Sequence, residues 1–197
     1  MKQVITPEFL WHLQRLCMVF QVTMVTTVDK EGRVNAAPFG LVIPYSADPE
    51  KPQMMLNSNR MWHTAQNIEA TGEFVINYPS FSLYPKVSEA GKLYDAGVNE
   101  LEKAGLTAIP ADKVKPPRIK ECYQHIECRL AQVMYPNEHQ SNFIGDIVNI
   151  SLDEEFLSLT QQEKIKKADP LLLFGINLET FASFYLRAGE NREFSPE

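Results

Sequence analysis

The segment Ser58-Asn-Arg-Met-Trp-His-Thr-Ala-Gln-Asn67 gathers the side chains best suited to holding an anion. Two hydroxyls, a guanidinium and amides lead into a helix expected over 64–72. The first N–H groups of a helix lack intrahelical partners and sit at the positive end of its dipole, and a guanidinium grips phosphate as a bidentate fork. Ser58, Arg60 and Thr64 therefore suit a phosphate. They equally suit a plainer arrangement in which Thr64 caps its helix and Arg60 is solvated.

Cys122-x-x-His125-x-x-Cys128 has the residue types of a metal site without its geometry. On a strand the two sulfurs would lie ~20 Å apart at ~3.3 Å per residue, with His125 on the opposite face. Zinc needs ligands converging at ~2 Å, so no metal is expected. Two core cysteines and a histidine facing the surface or a ligand are expected instead. No cationic cluster adjoins Cys17, Cys122 or Cys128, which leaves no activated thiol. Glu121 and Glu127 are expected on one strand face, too far apart to act on one bond. Glu163-Lys-Ile-Lys-Lys167 reads as a solvated helix face. No catalytic side chain is assigned.

The elements that must position these residues are mostly strands. Thr6 to Leu16 suit a short opening helix, with Thr6 as N-cap, Pro7 in the first turn, and Phe9, Leu10, Leu13 and Leu16 on one face. Met18–Val28 and Arg33–Ile43, joined by Asp29-Lys-Glu-Gly32, predict a β-hairpin. A Pro-rich turn over Pro44–Pro52, a strand at Lys51–Leu56, the helix at 64–72 ended by Gly72, and a strand at Glu73–Tyr78 follow. Residues 79–115 gather Pro, Gly and charge, with one helical stretch near Val98–Ala104, and read as an excursion from the sheet. Its neighbourhood carries Tyr78, Phe81, Tyr84 and Tyr94, which suit either gating of an open face or anchoring of a long loop. Strands are expected again at Ile119–Met134, Asp146–Leu152 and Phe181–Leu186, with a polar helix at Gln161–Lys167. Short strands with hairpin turns and few helices predict a mainly β, antiparallel, closed or nearly closed barrel in one domain spanning 1–197.

Composition narrows the partners. Among the 197 residues, 44% are hydrophobic and 22% charged, which fits a globular chain and excludes disorder. Nineteen basic against twenty-five acidic residues give a net charge of -6 with no basic run, so nucleic acid is not an expected partner. Glu8, His12, Gln14 and Arg15 interrupt the apolar residues of Met1–Phe20, which excludes a membrane span there and suggests a cytoplasmic protein with reduced thiols.

Three runs in order, Val25-Thr-Thr-Val-Asp-Lys-Glu-Gly-Arg-Val-Asn-Ala-Ala-Pro-Phe39, Ser58 through Ile68, and Thr71-Gly-Glu-Phe-Val-Ile-Asn77, resemble flavin reductase-like proteins that bind FMN on a split β-barrel. Leu101-Glu-Lys-Ala-Gly-Leu-Thr107, Lys115-Pro-Pro-Arg-Ile119, Ile126-Glu-Cys-Arg-Leu130 and Gly145-Asp-Ile-Val148 are similar to the flavoredoxin-type branch. The resemblance covers about residues 16 to 150. It implies a Greek-key-like split barrel with a few peripheral helices, a homodimer, and FMN near the subunit interface. Asn35, Ala36, Ala37 and Pro38 would lie along the isoalloxazine through backbone groups. Ser58, Arg60 and Thr64 would hold the phosphate, with Asn67 and Asn77 nearby.

The implied function is electron transfer through FMN at its N5 position, from NAD(P)H or a protein donor. The protein's part is to place the ring, offer donors near N1 and leave one face open. An NAD(P)H-dependent flavin reductase is the nearest alternative, and a non-enzymatic flavin- or haem-binding protein is the other. Two departures bear on this choice. Ile147 stands where NADH-using relatives resemble one another in a Gly-Asp-His run, and the Trp62-His63 pair is not matched by the resemblance, leaving His63 to reach the phosphate or face solvent.

Overall fold

The computed structural model describes residues 3, 4, 6, 18–177, 179, 180 and 183–189. Cys17 and, apart from residue 6, the expected opening helix lie outside these residues. Twelve strands are described: β1 Phe20–Gln21, β2 Thr23–Val28, β3 Val34–Phe39, β4 Val42–Ser46, β5 Gln53–Asn59, β6 Glu73–Tyr78, β7 Ala108–Ile109, β8 Arg118–Ile119, β9 Gln124–Asn137, β10 Gln140–Leu152, β11 Leu171–Ile176 and β12 Ser183–Arg187. The helices are α1 His63–Thr71, α2 Tyr84–Ala90, α3 Glu100–Ala104 and α4 Gln161–Ala168, with short 3-10 turns at Phe81–Leu83 and Glu154–Ser158.

Seven antiparallel strands run in the order β3-β2-β6-β9-β10-β5-β4. The sheet curls around a core of Val25, Met54, Leu56, Phe74, Ile76, Ile126, Cys128 and Phe143, and α1 closes this core with Ala65 and Ile68. Gly72 ends α1 in the left-handed region, at φ 73°, with its N–H on the Ile68 carbonyl at 2.8 Å. Only a residue without a Cβ adopts that conformation freely, so the chain can turn there directly into β6.

The expected hairpin forms between β2 and β3, Thr26 facing Ala36. Each of its long runs is broken, however. Met18–Val28 parts at Val22, where β1 leaves to pair with β11 in a separate sheet ordered β1-β11-β12. Arg33–Ile43 parts at Gly40-Leu41, so that β4 lies along β5 rather than β2. Pro44, expected in a turn, is inside β4. An edge strand tolerates it because one side needs no ladder hydrogen bond.

The excursion turns out to be built into the fold. Val87 and Ala90 of α2, Leu101 and Ala104 of α3, Leu106, Ile119 and Cys122 form a second core with Val22, Met24, Ala36 and Leu171. Its aromatics anchor it. Tyr84 lies between Phe81 and Tyr185, at 5.5 and 6.1 Å between ring centres, and the Tyr94 hydroxyl donates to Glu89 at 2.7 Å. The backbone of 110–117 is held from below by Glu127, whose buried carboxylate accepts N–H bonds from Asp112 at 3.0 Å and Lys113 at 2.7 Å.

Gly145 in β10 marks the tightest approach within the barrel. A Cβ there would stand 2.6 Å from the Phe74 ring and 2.9 Å from the Cys128 Cβ. Neither neighbour can withdraw from the closed core, so Gly145→Ala should lower stability by roughly 1–3 kcal/mol, as overpacking does. Denaturant unfolding of the two proteins measures this, and an unchanged midpoint would show that the core yields.

Candidate functional site

The expected anion-binding residues meet where β5 hands the chain to α1. Trp62 is the N-cap of α1 and supplies no side-chain cap, while the first intrahelical bond runs from Gln66 N–H to the Trp62 carbonyl at 3.2 Å. The N–H groups of His63, Thr64 and Ala65 precede that bond and lack intrahelical acceptors. Thr64 is thus inside the helix, not its cap.

Ser58 is buried at the end of β5, its hydroxyl on the Asn59 carbonyl at 3.2 Å. Directly across the ladder is Ser141, fully buried, whose hydroxyl has no partner among the described residues. Such a group costs about 1–3 kcal/mol when left dry, which a ligand or water would relieve. Arg60 is exposed and stacks over the Tyr135 ring at 4.6 Å, and its backbone N–H is tied to His139 at the tip of the β9–β10 hairpin at 2.9 Å. Among the described residues no carboxylate pairs with its guanidinium.

Asn35 and Asn67 converge on Thr27, and Asn35 also reaches Thr64. The Asn35 amide contacts the Thr64 and Thr27 hydroxyls at 3.0 and 3.3 Å, and the Asn67 amide donates to Thr27 at 3.1 Å. A cleft of about 260 Å³ opens beside them, lined by Arg33, Asn35, His63, Asn67, Gly97 and Val98. His63 therefore borders the same cleft.

Other expected residues are placed differently. Asn77 lies on the far side of β2, fully buried, donating to the Met24 carbonyl at 3.0 Å and accepting from Ile119 N–H at 2.8 Å. Its polar atoms hold the excursion to the barrel, so it does not join the Thr64 group. The Ala36 N–H donates to the Glu100 carboxylate at 2.9 Å. Pro38 is covered by Gly91 at the end of α2, close enough that a Cβ on Gly91 would come within 2.9 Å of it. Ala37 packs toward the barrel core.

His125 is buried rather than surface- or ligand-facing. Its Nε2 is 2.8 Å from the Ile119 carbonyl and its Nδ1 3.1 Å from the Ser151 hydroxyl. Burial lowers its pKa, which suits a neutral ring donating from Nε2. Cys122 and Cys128 are free thiols in separate cores, and burial pushes both pKa values up, which removes them as nucleophiles. Among the described residues no cluster of His, Cys, Asp or Glu could hold a metal, and no helix is long and apolar enough to cross a membrane.

Three contributors were not picked out from the sequence: Glu100, Ser141 and Tyr135. Each reaches the site from a different element, by tertiary placement. The Asn99-Glu100 pair does carry a local signal, since Asn99 caps α3 and fixes Glu100 in its first turn.

The profile of the flavin reductase like domain matches residues 15–183. This chain belongs to the flavin reductase-like family. An uncharacterised protein of Methanothermobacter thermautotrophicus is 32% identical over 157 residues, covering 77% of this chain and 73% of its own. Nitrilotriacetate monooxygenase component B from Bacillus cereus superposes with a TM-score of 0.84 at 22% identity, covering 98% of each chain. Flavoredoxin of Desulfovibrio vulgaris does so with a TM-score of 0.80 at 22% identity, over 99% of this chain and 97% of its own. The fold of this flavin reductase-like protein is thus the mainly β, antiparallel split barrel.

Proposed function

We propose that this flavin reductase-like protein binds FMN with its phosphate at the start of α1 and acts as an FMN-dependent electron carrier. The observation that carries the reading is the combination, where β5 passes into α1, of a helix N-terminus without a side-chain cap, the buried Ser141 hydroxyl across from Ser58 that lacks a partner among the described residues, and the Arg60 guanidinium, which no carboxylate among the described residues pairs. Each supplies donors to an anion, and together they suit a phosphomonoester better than an uncharged ligand. Bound FMN would supply the redox chemistry. The chain's own task is to fix the phosphate, border the ring with the cleft beside Asn35, and keep water from the buried hydroxyls.

A cleft of about 260 Å³ is smaller than the ~300–1,000 Å³ typical of pockets that enclose a small molecule. We infer that a second copy of the chain completes the site. Ile43 and Tyr45 on β4, and Met61 and Trp62 before α1, are exposed apolar side chains suited to that contact. A solution mass of two chains is expected for the FMN-bound protein. A monomer that retains FMN would remove the partner from the site.

Ile147 packs its side chain against the barrel core and offers a pyridine nucleotide only apolar contact. This favours the carrier over an NAD(P)H-dependent reductase. NADH oxidation by the FMN-loaded protein should be slow with or without added free FMN. Fast turnover, unchanged in Ile147→His, would put the reductase first.

Phosphate recognition is tested by comparing FMN with riboflavin. A hydrogen bond to a charged group contributes roughly 1.5–3 kcal/mol, so Arg60→Ala should weaken FMN about ten-fold or more. Riboflavin affinity should barely change. Equal loss for both ligands would mean that the phosphate binds elsewhere.

A further inference from the structure

The side chain of Asn35 sits between two groups that make opposite demands on it. One end of its amide lies 3.3 Å from the Glu100 carboxylate, and the other lies 3.0 Å from the Thr64 hydroxyl and 3.3 Å from that of Thr27. An ionised carboxylate only accepts, so it requires the amide NH2 on its own side. The amide oxygen then faces Thr64 and accepts its hydroxyl hydrogen, with Ala36 N–H also 3.2 Å from that oxygen. In this arrangement Thr64 has no hydrogen left for an anion. A protonated Glu100 reverses the amide: it donates to the amide oxygen, the NH2 turns to Thr64 and Thr27, and the Thr64 hydroxyl hydrogen is released.

We propose that Glu100 is a positioning residue which, through the orientation of the Asn35 amide, decides whether Thr64 can donate to a bound phosphate, so that FMN binding takes up one proton at Glu100. The inference rests on the phosphate reading given above and extends it to a residue that never touches the ligand. The proton comes from solvent, and no covalent bond is made or broken.

The surroundings of Glu100 suit this role. The carboxylate is buried at the first residue of α3, held by Ala36 N–H from β3. From α1 it faces His63. From the segment between α2 and α3 it faces Tyr94, whose hydroxyl is bound to Glu89, itself paired with Lys92 at 2.6 Å. Arg33, the nearest guanidinium lining the cleft, is held by Asp29 at 2.6 Å. Burial lifts the Glu100 pKa above the usual carboxylate value, against the pull of Ala36 N–H, its own N–H and His63. An anion bound nearby lifts it further, which is the sign that proton uptake requires.

The experiment compares FMN and riboflavin affinities, by flavin fluorescence, across pH 5–8 for the unmodified protein and Glu100→Gln. Gln donates to Asn35 and accepts from Ala36, reproducing the protonated arrangement at every pH. As pH rises, the preference for FMN over riboflavin should fall about ten-fold or more in the unmodified protein relative to Glu100→Gln. The phosphate's own second ionisation, near ~6, affects both proteins alike. Parallel profiles would overturn the proposal. So would a pH dependence that persists in Glu100→Gln and vanishes in His63→Gln. Should Glu100→Gln not fold, calorimetry of the unmodified protein in two buffers of different ionisation enthalpy reads proton uptake directly. Uptake with FMN and none with riboflavin supports the proposal, and equal uptake defeats it. FMN and riboflavin bound alike at all pH values would overturn the phosphate reading itself, and this inference with it.

Discussion

All six residues of β2 are buried, so the strand needs an apolar cover on each side. Val25 faces the barrel core and Met24 faces the second core. Every polar group on the strand must also find a partner there, because a buried hydroxyl left unpaired is costly. Thr26 donates to the Pro117 carbonyl at 2.5 Å, on the excursion's side, while Thr27 meets Asn35 and Asn67 on the side of α1. One strand thereby joins the excursion, the barrel and the candidate site. The Thr64 group can be rigid because Thr27 beneath it belongs to the most deeply buried element of the fold.

That double burial explains what sequence could and could not reveal. The β2–β3 hairpin was legible because its strands are β-branched and its turn contains Gly32. The helix at α1 was legible because Gly72 ends it. Ser58, Arg60, Thr64 and Asn67 were legible because they are close in sequence and lead into one helix. The break at Val22 was not, since nothing in Met18–Val28 marks where the chain passes from one sheet to another. Strand β11 went unseen because Leu-Leu-Leu-Phe does not alternate, and an unalternating apolar run does not declare its structure. Pro- and Gly-rich composition likewise made 79–115 look detached. Only in three dimensions do Val87, Leu101 and Ile119 meet Met24 and Ala36. Asn77 is the same lesson on a smaller scale: a polar residue grouped with Thr64 and Asn67 by the sequence pattern, yet placed across the sheet from them.

The two borders of the seven-stranded sheet, β3 and β4, each contain a proline, Pro38 and Pro44. On β3 the N–H of Ala36 is bonded to Glu100, and on β4 the ladder is irregular between Pro44 and Ser46. Neither border therefore offers an unbroken row of donors and acceptors to an incoming strand. A second copy of this chain would find no ready ladder along either border of this seven-stranded sheet. Any association across these two borders would run through side chains, which would leave its strength open to tuning by single surface substitutions and spare these borders the ordered stacking that exposed strand edges invite.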